Sequence, residues 1–102
     1  MKNNLMSSLG LCKRAGKMIC GTDAVCTAMR EQKNVLLVLA ASDISDNTAK
    51  KITDKTSYYK VPLYRLDQTC YELGRAVGRT GGSACVGITD QNFVKLIEEH
   101  ID

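Results

Sequence analysis

The residues with the most evident chemistry in this 102-residue chain stand between Leu9 and Asp23. Lys13, Arg14 and Lys17 set three cations within five residues, and Gly21-Thr22-Asp23 follows them. Gly21 and Thr22 precede an apolar helical repeat, so they open a helix whose first backbone N–H groups have no partner within it. Such an end, aided by the helix dipole, binds phosphate or base-edge acceptors. Lysine and arginine beside it add the salt-dependent attraction that nucleic acids need. Cations in the last turn of a helix also suit its dipole, which accounts for Lys13 and Arg14 without any ligand. Lys17 lies past the helix break, and that account does not reach it.

Other chemistries find less support. The five cysteines, Cys12, Cys20, Cys26, Cys70 and Cys85, are odd in number and form no C-x-x-C pair. The only histidine, His100, stands near the end of the last helix, where neither a zinc set nor a Cys–His nucleophilic site is completed. Each cysteine occupies an apolar position of its segment, which reads as a small buried hydrophobe in a reducing compartment. The run Gly78-Arg79-Thr80-Gly81-Gly82-Ser83 leads from a helix into a strand, the reverse of a phosphate-binding loop, so its glycines read as suppliers of positive φ. Lys50, Lys51 and Lys55 read as a solvated helix face, with Asp54 four residues after Lys50. No metal, cofactor or small-molecule substrate is expected.

The net charge of +3 is unevenly distributed. Residues 1–33 carry six basic and two acidic side chains, residues 50–65 five and one, and residues 90–102 one and four. Two basic segments with an acidic tail make a polar molecule whose basic side suits phosphates, although charge alone is better read as a solvated surface with uneven charge. Hydrophobic residues make up 44% of the chain and are spread along it, with no Trp and one Phe, so an aliphatic core of one domain over residues 1–102 is expected. The longest apolar run, Val35 to Ala41, is too short to span a bilayer. No signal sequence is read after Lys2, and a cytoplasmic protein is expected, with no membrane partner.

The elements that hold these residues alternate. Asn3 or Asn4 caps a helix running to about Arg14, with Leu5, Leu9 and Cys12 on its apolar face and Gly16 at its end. A short strand covers Lys17 to Cys20, and the helix opened at Gly21 buries Val25, Ala28 and Met29. Val35 to Ala40 reads as a central strand covered on both faces. Ser45 or Asp46 caps a third helix with Ala49, Ile52, Thr56 and Tyr59 along one side. Val61 to Leu66 is a strand that Pro62 confines to its start or to a sheet edge. Asp67 or Thr69 caps a fourth helix bearing Cys70, Leu73 and Val77. Ala84 to Ile88 is the last strand, and Asp90 caps a final helix with Phe93, Ile97 and Ile101 in register. The alternation predicts an α/β fold, an α/β/α sandwich.

The chain resembles the kink-turn-binding superfamily of ribosomal proteins, and within it the bacterial YlxQ-like branch. Leu9-Gly10-Leu11 with Arg14-Ala15-Gly16-Lys17 is similar to that branch's opening, and Gly21-Thr22-Asp23 sits where the superfamily begins its RNA-docking helix. Val35 to Ala41 with Ser42-Asp43-Ile44, Val61-Pro62-Leu63-Tyr64 and Glu72-Leu73-Gly74-Arg75-Ala76-Val77-Gly78 resemble later segments in the same order. The resemblance implies a three-layer sandwich with a four-stranded mixed sheet. It also implies non-enzymatic binding of structured RNA, of a kink-turn or on the ribosome. One part of the implied contact is the second helix's N-terminus against sheared G·A pairs: Lys17, Gly21, Thr22, Asp23, Ala24 and Thr27, with Lys13 and Arg14 beside them. The other is the loop of Arg79, Thr80, Gly81 and Gly82 over extruded nucleotides. The archaeal type has Asn-Glu where this chain has Asp23-Ala24, and Lys where it has Thr27. An ionised Asp23 only accepts hydrogen bonds, whereas an amide also donates. The alternative reading is a protein-interaction module on the same fold, with a small enzyme a distant third.

Overall fold

The computed structural model describes residues 2–101, and for residues 2–4 the backbone only. Nine elements alternate as expected: α1 (Lys2–Arg14), β1 (Met18–Cys20), α2 (Thr22–Arg30), β2 (Leu37–Ala40), α3 (Asp46–Tyr59), β3 (Leu63–Arg65), α4 (Cys70–Ala76), β4 (Cys85–Ile88) and α5 (Gln91–Glu98). The strands form one mixed sheet in the order β1-β4-β2-β3. β2 and β3 run parallel, while β4 is antiparallel to both its neighbours.

Side chains alternate across a strand, and the core divides accordingly. Leu37 and Leu39 of β2, with Val86 and Ile88 of β4, join Leu9, Cys12, Leu73, Val77 and Ile97 from α1, α4 and α5. Val38, Ala40 and Cys85 join Val25, Ala28, Met29 and Ile52 from α2 and α3 on the other face. Helices on both faces of a sheet make the three layers of an α/β/α sandwich. β2 is buried throughout and flanked on both sides, as its continuous apolar sequence requires. β3 is an edge strand, which explains how Pro62 is tolerated just before it, its carbonyl accepting from the Val38 N–H at 2.9 Å.

The registers bring the C-terminal ends of β1, β2 and β3 and the N-terminal end of β4 to a single edge of the sandwich: Ala40 pairs with Arg65 and Cys85, and Cys20 with Val86. The loops into α2, α3, α4 and β4 all leave from this edge. The opposite edge holds Lys17, whose carbonyl accepts from the Thr89 N–H at 3.0 Å.

Ser45, Thr69 and Asp90 are the caps of α3, α4 and α5, and Thr69 forms a full capping box with Glu72. α1 begins at Lys2, so Asn3 and Asn4 lie inside its first turn rather than at a cap, and their side chains fall outside the described residues. α5 ends at Glu98, and its buried positions are Val94 and Ile97, with Phe93 half-buried. Ile101 therefore packs on the core from beyond the helix, not from a third turn of it.

All five cysteines are free thiols, Cys12, Cys26 and Cys85 buried, Cys20 and Cys70 partly so. The Cys12 thiol donates to the Lys17 carbonyl at 3.3 Å, tying α1 to the start of β1. Burial, then the charge of Asp90, push its pKa from 9.0 up to about 11. A group that holds its proton more tightly when folded contributes stability that is full below its unfolded pKa and lost as pH climbs toward the folded one. Stability should therefore decline between pH 9 and about 11. Replacing Cys12 with Ala should flatten this decline while lowering the absolute melting temperature. Thermal melts of both proteins across that range measure the slope, and equal slopes would remove Cys12 as its cause.

Candidate nucleic-acid interface

Gly21 links β1 to α2 in a conformation, φ 100° and ψ 141°, that a residue with a Cβ adopts only under strain. Its N–H donates to the Cys85 carbonyl at 2.9 Å, and the Thr22 hydroxyl lies 3.5 Å from the Cys85 sulfur, so the start of α2 is pinned to the start of β4. No side chain caps α2. Among the helices whose N-terminal caps are described, it is the one without such a cap, since α3, α4 and α5 are closed by Ser45, Thr69 and Asp90. The backbone N–H groups of Thr22, Asp23 and Ala24 precede the first intrahelical bond, from Val25 to Gly21. Asp23 and Ala24 are exposed and Thr22 is half-exposed. An outside acceptor can reach this end of the helix.

Asp23 does not fold back on these groups. Its carboxylate accepts from the Lys51 Nζ of α3 at 2.6 Å, an ion pair across two helices. That hydrogen bond and charge hold the Asp23 carboxyl below the usual carboxylate range and raise the Lys51 ammonium in turn. The Asp23 side chain is almost fully exposed and that of Lys51 about half so, and solvent screens the pair. Geometrically, the pairing leaves the helix end open while partly neutralising the charge that would repel a phosphate. In sequence Lys51 reads as part of a solvated helix face. Its separation of 28 positions from Asp23 leaves no local signal that the two meet.

Thr27 lies one turn beyond Asp23 on the same side of α2 and is half-exposed. The 79–82 loop leaves the same edge of the sheet from α4. Arg79 N–H donates to the Gly74 carbonyl at 2.7 Å, and Ser83 N–H to the Cys70 carbonyl at 2.9 Å, folding the loop over α4. The contact is close at one point: a Cβ on Gly74 would stand 2.4 Å from the Gly82 Cα. Gly78, Gly81 and Gly82 all have positive φ, as read from the sequence. Arg79, Thr80 and Gly81 are exposed beyond this anchor. The neighbouring loop is braced as well. Asp43 accepts from the Cys70 N–H at 2.7 Å, which lowers its carboxyl pKa, and Arg65 donates to the Ala41 and Ser42 carbonyls.

Lys13, Arg14 and Lys17 are all exposed, but they stand at the other end of β1. Lys17 and Gly21 are four steps of extended chain apart, about 13 Å at the usual strand rise. The structure thus brings Gly21, Thr22, Asp23, Ala24, Thr27 and the 79–82 loop to one edge, and it leaves the three N-terminal cations apart from them. Lys51 and Arg65, which the sequence did not single out as site residues, are the cations fixed at that edge.

Over residues 3–98 the chain matches the ribosomal protein L7Ae/L30e/S12e/Gadd45 family. It is 40% identical over 94 residues to the RNA-binding protein YlxQ of Bacillus subtilis (strain 168), covering 92% of this chain and 91% of that protein. To the RNA-binding protein YlxQ of Enterococcus faecium it is 36% identical over 101 residues, covering 99% and 94%. A solved protein of unknown function from Bacillus halodurans C superposes with a TM-score of 0.86 at 32% identity, covering 96% of each chain.

The Gly74–Gly82 contact generates a test of how the loop is held. Gly74→Ala forces a Cβ into the Gly82 backbone, which cannot rotate away as a side chain would. The expected loss is about 1–3 kcal/mol, the usual range for overpacking. Urea titration reads the stability, and amide chemical shifts should move in residues 79–83 as well as around Gly74. Wild-type stability with unmoved loop shifts would show that this contact does not set the loop.

Proposed function

The chain belongs to the ribosomal protein L7Ae/L30e/S12e/Gadd45 family, in its YlxQ-like branch, and from that premise we propose that it binds structured RNA through the edge formed by the α2 N-terminus and the 79–82 loop. Membership of a ribosomal-protein family makes it a non-enzymatic protein. The observation that carries the proposal is the uncapped N-terminus of α2 at Gly21, set on the same edge as an exposed glycine-containing loop with Arg79.

In this reading the free N–H groups of Thr22, Asp23 and Ala24 meet base-edge or phosphate acceptors, with the helix dipole behind them. Thr27 extends the contact by a turn. Arg79, Thr80, Gly81 and Gly82 cover nucleotides that leave the helical stack. RNA recognition favours such unstacked nucleotides, since the deep groove of an A-form helix is closed to side chains. The RNA class is a kink-turn or a related bend in ribosomal RNA, in the cytoplasm, with the ribosome as the larger partner and residues 1–102 acting as one domain. Lys13, Arg14 and Lys17 contribute from the far end of β1. At that distance they attract the phosphate backbone at large and do not read the bend.

That division generates two linked predictions. Lys17→Ala should weaken binding to a kink-turn duplex and to a straight duplex by the same factor, and make the salt slope shallower by about one unit. Asp23→Asn should act on the bend alone. It removes a carboxylate and supplies an amide that can donate as well as accept, so affinity for the kink-turn should rise by roughly two- to tenfold, the equivalent of one net hydrogen bond. Fluorescence titrations of the three proteins against both duplexes measure this at two salt concentrations. A wild-type protein that binds both duplexes equally removes the bend-reading role, and an unchanged salt slope in Lys17→Ala removes the long-range one.

A further inference from the structure

α2 and α3 lie side by side, and the channel between them begins at the proposed RNA-docking end. Asp23, Thr27 and Arg30 fall at i, i+4 and i+7 on one side of α2. Lys51, Lys55 and Tyr59 fall at i, i+4 and i+8 on the facing side of α3. These six residues, with Cys26, line a single groove, and a second groove bounded by Lys51, Asp54, Lys55, Tyr58 and Tyr59 continues it. The channel runs about 10 Å along α2 from Asp23 to Arg30, at the ordinary rise of a helix.

Its chemistry changes along that length. At the mouth Lys51 is committed to Asp23. Among the described residues neither Arg30 nor Lys55 has an ion-pair partner, and both are exposed. Asp54 is the one carboxylate on the outer lip. Tyr59 is half-buried against the core, and Tyr58 stands edge-on to it at 4.8 Å with 78% of its own surface exposed. An aromatic ring of that exposure, braced by a second ring and set one turn from an uncompensated lysine, costs solvation without serving the core. Cations along a groove with an aromatic platform are the arrangement by which proteins hold single-stranded nucleic acid.

We propose that the α2–α3 channel is a second RNA-contacting surface, in which Arg30 and Lys55 hold phosphates of a single strand leaving the α2 N-terminus and Tyr58 stacks one of its bases. The inference rests on the RNA-binding reading above and adds the path of the strand that flanks the docked bend. Continuity with the α2 end and the free ring favour RNA over an acidic peptide, which would use the two cations but not the platform.

The test uses the full chain and a kink-turn duplex with or without a single-stranded uridine extension of about eight nucleotides, within the site sizes seen for single-strand grooves. The extension should raise wild-type affinity about tenfold, the scale of one base stacked on an aromatic ring. Tyr58→Ala and the double change Arg30→Ala with Lys55→Ala should each abolish that gain and leave affinity for the bare duplex unchanged. The double change should also make the salt slope for the extended RNA shallower by about 1.4 units, the single-strand value for two phosphates, whereas Lys50→Ala should keep the gain. Circular dichroism checks that the variants remain folded. No wild-type gain, or a gain that survives both changes, overturns the channel. If the bare duplex is bound no better than a straight one, yet the gain is present and lost in the variants, the bend-reading proposal falls and the channel stands. A poly-glutamate peptide that displaces the extension and binds the Tyr58→Ala protein as well as wild type would assign the channel to a protein ligand and overturn the proposal.

Discussion

β4 lies between β1 and β2, and every residue from Cys85 to Ile88 is buried. A strand in that position has no water for its backbone, so each of its N–H and C=O groups needs a protein partner. The registers with Met18–Cys20 on one side and Leu37–Ala40 on the other supply them. The last of these pairings decides the site. Because the Cys85 carbonyl accepts from Gly21, the backbone turns out of the sheet at that residue, and α2 starts where β4 starts. The 79–82 loop must reach Cys85 through Ser83 and Ala84 alone, so it is held to the same edge. The proximity of two segments 60 residues apart in sequence follows from satisfying one buried strand.

The layout of the sandwich was legible because its signals are local. Val35 to Ala40 is apolar without interruption, and a run that short between polar flanks reads as a strand covered on both faces. Ser45, Thr69 and Asp90 start helices by accepting from backbone N–H groups two or three residues on. The family resemblance, carried by short ordered motifs, supplied the joining of the four strands into one mixed sheet. Phe93, Ile97 and Ile101 misled in a small way, since Val94 is adjacent to Phe93 and either offset gives an apolar side. Packing buries Val94 more deeply than Phe93, which still lies against the core, and the helix ends before Ile101.

The electrostatics of the site were not legible, for a reason of geometry. Lys13, Arg14 and Lys17 are near Gly21 in sequence, yet an extended strand carries the chain away at about 3.3 Å per residue, so nearness in sequence became distance. Lys51 is far from Asp23 in sequence, yet two helices following strands that run the same way place the first turn of α2 beside the second turn of α3. The charge counts of residues 1–33 and 50–65 located the basic segments but could not say which of them met the helix end. Long-range pairs of this sort come from the sheet order, and a sequence read alone yields the order only through a known family.

The helix end itself shows how stability and exposure are reconciled. An aspartate in the first turn is well placed to satisfy the free N–H groups of its own helix. Here Lys51 draws the Asp23 carboxylate sideways, and those groups remain available. Leaving a helix uncapped ordinarily has a cost, since replacing a capping Ser, Thr or Asp by Ala loses roughly 0.5–2 kcal/mol, but glycine at the cap position loses only a few tenths. Gly21 therefore lowers the cost of an open end and at the same time permits the φ of 100° that delivers its N–H to Cys85. A serine there would close the helix more tightly, but it would carry a Cβ into that backbone conformation and a hydroxyl into the place where an outside acceptor would sit.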